Sequence, residues 1–201
     1  MTDVIDRLVG ITPGSRLDTI RRNRIQARDN AQASYDALFA PKTPGTVLIE
    51  ERFAIAYFVA GLHRNEAATA LYREALGPHA RSGLLGAISA EIQRGLTTGP
   101  YGSYPAGPLS AEDKPGLIYA PDPANRAVLG RLEAALAHAH LLVFRPRDAS
   151  SAALQALLNA GWSTDDIIVL SQLVAFLSFQ IRVVTGLSAL AAADTQSVAA
   201  E

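Results

Sequence analysis

The chain has 201 residues, of which 49% are hydrophobic and 18% are charged, and its formal net charge is −1. This composition is typical of a folded globular domain and excludes intrinsic disorder. A net charge near zero gives no overall field that would attract nucleic acid or an anionic membrane, so we expect neither as a partner. The chain has no cysteine, which excludes disulfides, thiolate metal sites and a thiol nucleophile.

The first residues carry acidic side chains and no long apolar core, unlike a signal peptide, so we expect a cytoplasmic protein. Residues 167–187 are long and apolar enough to imitate a membrane span. This segment contains Gln172, Gln180 and Arg182, and a central charge is costly in lipid. It therefore predicts a fully buried helix of a soluble bundle.

The first half of the chain predicts helices at residues 15–39, 47–62, 66–76 and 82–95. Thr46 is the predicted N-cap of the second helix and Asn65 that of the third. Residues 97–121 are rich in proline and glycine and contain three tyrosines. Because these tyrosines are unlike the composition of a flexible linker, we expect an ordered loop that packs on the helices or on a neighbouring subunit.

The second half predicts a helix from Asp122-Pro123 to about residue 142, another that begins at Asp148 or Ser150, and a long one from Ser163 to about residue 186. No strand-like alternation is visible. The fold class is therefore all-α, a single helical domain over residues 1–201 whose ends, 1–14 and 190–201, are expected to be peripheral tails.

An apolar helix, a turn and a second helix, with Glu51 near the start of the first helix, resemble the alkylhydroperoxidase D / γ-carboxymuconolactone decarboxylase family. The stretch LLNAGWSTDDIIVLSQLVAFLSFQIRVVTGL is similar to the C-terminal part of its peroxidase-related branch, and GPYGSYPAGPLSAED is similar to a proline-rich insert. The resemblance implies an all-α bundle that assembles as a dimer, trimer or hexamer.

The family's redox motif is a glutamate, eleven residues, then Cys-x-x-Cys-x-x-x-His. Laid on this sequence from Glu51, it places the first cysteine at His63, the second at Glu66 and the histidine at Ala70. Thiol reduction of a hydroperoxide needs both cysteines, so the resemblance carries over the fold without that reaction. The decarboxylase side of the family uses acid and base side chains, which His63 and Glu66 could supply.

Glu51, His63 and Glu66 are therefore the candidate catalytic residues. The alternative is structural: Glu66 compensates the dipole of the helix that it starts, His63 lies at the end of the preceding helix, and Glu51 pairs with an arginine. We expect no cofactor and no metal, because no further cluster of ligands joins the pair. Arg182 is expected to pair with an acid such as Glu51 or Asp166, or to bind an anionic ligand.

Two functions follow from different classes. One is acid/base chemistry on a small organic acid or lactone. The other is a non-catalytic oligomeric subunit that works with a cysteine-bearing relative.

Overall fold

Helices make up the regular structure of the part of the chain that the structure, a computed structural model, describes: residues 3–198, with side chains through residue 193. In that part there is no β-strand, which confirms the all-α class. The ten α-helices are α1 Val4–Val9, α2 Arg16–Arg22, α3 Ile25–Phe39, α4 Ile49–Leu62, α5 Glu66–Leu76, α6 Leu84–Gly95, α7 Arg126–Leu129, α8 Leu132–Phe144, α9 Ser151–Asn159 and α10 Thr164–Val198.

Helix α4 is the centre of the core. Every residue from Glu51 to Leu62 is buried, and the helix packs against α5, α6, α8 and α10. The approach to α6 is close at Gly61, where an added Cβ would lie 2.6 Å from side-chain atoms of Ile92. A helix buried on all sides needs apolar residues around its whole circumference, which the sequence FAIAYFVAGL at residues 53–62 provides.

Helix α10 is long and begins as predicted. Ser163 Oγ accepts the Asp166 N–H at 3.2 Å, and Asp166 Oδ2 accepts the Ser163 N–H at 3.0 Å, which together form the capping box. The helix is not buried on all sides, however, because Ile168 is 51% exposed and Phe179 is 46% exposed. The prediction of a fully buried helix is therefore wrong, because neighbouring helices cover only part of its circumference.

Among the described residues, Thr164–Ala193 is the one single helix that is long and apolar enough to cross a membrane, and 44% of its most apolar window is buried. A core helix of a soluble protein meets the same criteria of length and composition.

The loop at residues 97–121 packs on the helices near its two ends, whereas residues 111–118 between them are exposed. Tyr101 and Tyr119 are both 8% exposed, and the backbones of Gly102 and Lys114 form an isolated antiparallel bridge. Glu91, fully buried on α6, accepts hydrogen bonds from Tyr119 Oη at 2.8 Å and from the Asp122 N–H at 2.9 Å. A buried carboxylate with several donors holds the end of the loop on the core.

Two predicted helices are each divided in two. The helix predicted at residues 15–39 is interrupted between α2 and α3 at Asn23 and Arg24. The helix predicted from Asp122 turns by 112° between the segments Pro123–Leu129 and Leu132–Phe144. Gly130 permits this turn, because its φ is +55°, a conformation that glycine adopts at little cost.

Two further predictions need correction. Leu48, not Thr46, occupies the N-cap position of α4, and the Thr46 hydroxyl donates instead to Asp166. Residues 1–14 are predicted to be a peripheral tail, yet Val4 and Ile5 in α1 are buried in a second apolar cluster with Val184 and Leu187 of α10. Residues 199–201 of the predicted C-terminal tail lie outside the described residues, and α10 continues through Val198.

Candidate functional site

A cleft of about 620 Å³ lies beside His63, at the end of α4. One wall is a face of α10, with Ser171, Val174, Ala175, Ser178 and Arg182. These positions recur every three or four residues, so they share one side of the helix. The last turn of α8 with Pro146 forms the opposite wall, and Thr98 and Pro100 of the long loop complete the cleft.

The turn after α4 fixes the position of His63. Its backbone N–H donates to Val59 O at 3.1 Å, so the residue closes the helix. Arg64 then adopts a left-handed conformation with φ +56°, which is unusual for a residue other than glycine and is common at functional turns. Asn65 caps α5 by accepting the Ala68 N–H at 2.9 Å, and its amide donates to Thr185 Oγ1 of α10 at 3.3 Å.

His63 Nε2 lies 3.4 Å from the Ser178 hydroxyl oxygen, between residues 115 positions apart in the chain. Burial of the imidazole, together with the nearby positive charge of Arg182, lowers the pKa of His63 to about 4. The ring is therefore neutral at neutral pH and can accept a proton. The Ser178 hydroxyl is placed to donate to Nε2 when Nδ1 carries the ring proton.

Arg182 is the one lining residue of this cleft that carries a permanent charge. Its guanidinium donates to the Ser178 backbone oxygen at 3.0 Å, and within the described residues it forms no ion pair with a carboxylate. The expected pairing of Arg182 with Glu51 or Asp166 is therefore wrong, because both acids pair with Arg131 instead. The cleft combines a cation with a neutral base, an arrangement suited to an anionic ligand.

Glu51 lies at the other end of α4 from His63. Twelve residues of helix separate them, which is about 18 Å. The Glu51 carboxylate accepts Arg131 Nε at 2.5 Å and Arg131 Nη2 at 2.6 Å, and it also caps the Leu48 N–H at 2.9 Å. These contacts give Glu51 a structural role, the alternative that the sequence left open, and place it away from the His63 cleft.

Glu66 is exposed on the first turn of α5. It is not among the residues that line the cleft. The helical spacing of His63 and Glu66 would put them on one face, but the turn at Arg64 places them on different helices. The structure therefore brings His63 together with Ser178 and Arg182 rather than with Glu51 or Glu66.

No sequence pattern identifies Ser178 as a site residue, because a serine within an apolar helix has many ordinary roles. His138 and His140 of α8 are both buried. His140 Nε2 lies 2.9 Å from Gly95 O and its ring stacks on Tyr119, so this side chain contributes to packing.

No group of three or more histidine or acidic residues in the described part of the chain is arranged to hold a metal ion. Comparison with protein-family models, with curated proteins and with solved structures finds no match to the chain.

Proposed function

We propose that the protein binds a small organic acid in the His63 cleft and catalyses proton transfer at a carbon atom of that acid. The observation that carries this proposal is the neutral imidazole of His63, which shares one cleft with the guanidinium of Arg182, a cation that forms no ion pair within the described residues. A cation orients the carboxylate of the substrate, and a neutral imidazole beside it can act as the general base. The cleft is of the size that encloses small ligands.

In the proposed reaction, the substrate carboxylate lies against Arg182. Its negative charge offsets the repulsion between Arg182 and a protonated imidazole, so binding raises the pKa of His63 towards the range of an effective base. His63 then removes a proton from carbon, the C–H electrons move into the adjoining carbonyl, and Arg182 stabilises the resulting enolate. In a β,γ-unsaturated acid or lactone the anion is a dienolate, and return of the proton to the γ-carbon shifts the double bond and completes an isomerisation; in a saturated 2-oxo acid the proton returns to the same carbon, so only exchange results.

We infer further that the chain is a cysteine-free relative of the alkylhydroperoxidase D / γ-carboxymuconolactone decarboxylase family. The helix, turn and helix around His63 support this inference, because the position of the family's first cysteine is occupied here by a residue that lines a cleft. Without a thiol the purified protein should consume no hydroperoxide above background.

The test is deuterium incorporation from D₂O into 2-oxo acids, unsaturated dicarboxylic acids and butenolides, followed by proton NMR. We expect exchange by the wild-type protein and its loss in His63→Asn. Arg182→Gln should raise KM and also lower kcat, because Arg182 both binds the carboxylate and stabilises the enolate. Glu66→Gln is the matched control and should behave as wild type, because its side chain is exposed outside the cleft. Exchange that persists in His63→Asn would refute the assignment of the base.

The second candidate function is a homo-oligomeric, non-catalytic subunit that works with a cysteine-bearing relative. It is supported by the exposed apolar side chains of α10, which include Ile168 at 51% and Leu190 at 42%. Light scattering after size exclusion should then report a dimer, trimer or hexamer, and co-expression should yield a complex with the relative. A monomer that captures no such relative would contradict this candidate.

A further inference from the structure

A second cleft, of about 540 Å³, lies between α3, the segment at residues 41–43 and α10. Leu38, Val169, Phe176 and Phe179 give it apolar walls, and Arg52 contributes a charge. It uses a different face of α10 from the His63 cleft. At about 100° per residue, Val169, Gln172, Phe176 and Phe179 are centred about 120° away from the face that carries Ser171, Ser178 and Arg182.

Arg52 is 5% exposed, although it carries a positive charge. Its Nε donates to Val47 O at 3.1 Å, Nη1 to Leu38 O at 2.7 Å and Nη2 to Pro44 O at 2.9 Å. A guanidinium has five N–H groups, so these three bonds leave one on each terminal nitrogen without an acceptor in the described part of the protein. The two terminal nitrogens can together bind a carboxylate in a bidentate pair.

The acceptors of Arg52 are all neutral carbonyls. Burial lowers the pKa of Arg52, and the negative charges of Asp166 and Glu51 only partly offset this effect. Both of those carboxylates are in direct contact with Arg131. A buried cation without a directly bonded anion is costly, and an anionic ligand that reaches Arg52 through the cleft would reduce that cost.

We propose that this second cleft binds monocarboxylic acids with an aromatic or branched apolar body. The carboxylate accepts the remaining N–H groups of Arg52, and the apolar body packs between Leu38, Phe176 and Phe179. Aromatic side chains around a charged group favour a flat apolar ligand with one anionic end. This site is separate from the His63 cleft and does not depend on the reaction proposed there.

The test is calorimetric titration with 1-naphthoate and with its neutral isostere 1-naphthamide. Loss of the charge-assisted bonds should weaken the amide by about tenfold or more. Phe179 is 46% exposed, so Phe179→Ala should keep the fold, and the loss of its ring should weaken naphthoate by roughly fivefold or more. Arg182→Gln, the control for the other cleft, should leave the affinity unchanged.

Arg52→Gln should abolish the preference for naphthoate over naphthamide. If this variant fails to fold, because three carbonyls lose their donor, the comparison of acid with amide and the Phe179→Ala variant still decide the question. The proposal is overturned if naphthoate does not bind, if the two compounds bind equally, or if Arg182→Gln removes the binding.

Discussion

Replacement of Glu51 by glutamine tests whether the Glu51 carboxylate has a structural or a catalytic role. The Glu51 side chain is 6% exposed and that of Arg131 is 25% exposed. Breaking a buried pair by removing one charge costs about 3–5 kcal/mol. Glutamine still offers one acceptor, and Arg131 keeps Thr46 O at 2.9 Å and Asp166 at 3.4 Å. We therefore expect Glu51→Gln to lower the free energy of unfolding by about 2–3 kcal/mol.

At about 2–4 °C per kcal/mol for a chain of this length, the Tm should fall by roughly 4–12 °C. Urea denaturation followed by circular dichroism measures the change in the free energy of unfolding. The neighbouring Glu50 is the matched control, because it pairs with Arg81, whose side chain is 42% exposed. Glu50→Gln should cost less than about 1 kcal/mol. A change in Glu51→Gln as small as in the control, accompanied by loss of activity, would refute the structural role.

Three further predictions concern His63, the left-handed turn at Arg64 and the close helix contact at Gly61. Burial lowers the pKa of His63 to about 4, so the unfolded chain binds more protons than the folded one between pH 4 and 6.5, and the free energy of unfolding should rise with pH across that window. His63→Asn should reduce this rise by about 1–2 kcal/mol, which is the full pKa shift discounted for solvent access. If urea titrations show the same pH dependence in the variant as in the wild type, the prediction is wrong. Arg64→Gly should stabilise the protein by about 0.5–1 kcal/mol in the same titrations, because φ is +56° there, and destabilisation would show that the Arg64 side chain matters more. Gly61→Ala should destabilise the protein by about 1–3 kcal/mol, because the added methyl group contacts Ile92. Gly86 in α6 has open space around it, so Gly86→Ala should stabilise the protein by up to about 1 kcal/mol. Equal effects at the two glycines would refute the packing argument.

Much of the fold can be predicted from local patterns. Asn65 and Ser163 cap helices at the predicted positions because their side chains accept nearby backbone N–H groups. The break at Asn23 and Arg24 cannot be predicted, because apolar periodicity continues across it. The sharp turn at Gly130 cannot be predicted either, because a single glycine is compatible with a continuing helix, and only packing against the core decides between a turn and a helix.

The residues of the candidate site can likewise be predicted only in part from local patterns. His63 can be predicted, since a titratable residue at the end of a buried helix is a local feature. Its neighbours Ser178 and Arg182 come from a helix more than one hundred residues later, and no local pattern specifies that contact. The spacing of the family's redox motif suggests that Glu51 and His63 belong to one site, whereas a straight helix holds the two residues about 18 Å apart.

The most direct test of the central claim is an NMR titration of the His63 imidazole with and without 2-oxobutyrate. If a carboxylate binds Arg182 beside His63, the pKa of His63 should rise from about 4 to above about 5. The rise should disappear in Arg182→Gln. A His63 pKa that does not change at saturating 2-oxobutyrate, or that rises equally in Arg182→Gln, would contradict the assignment of this cleft as the functional site.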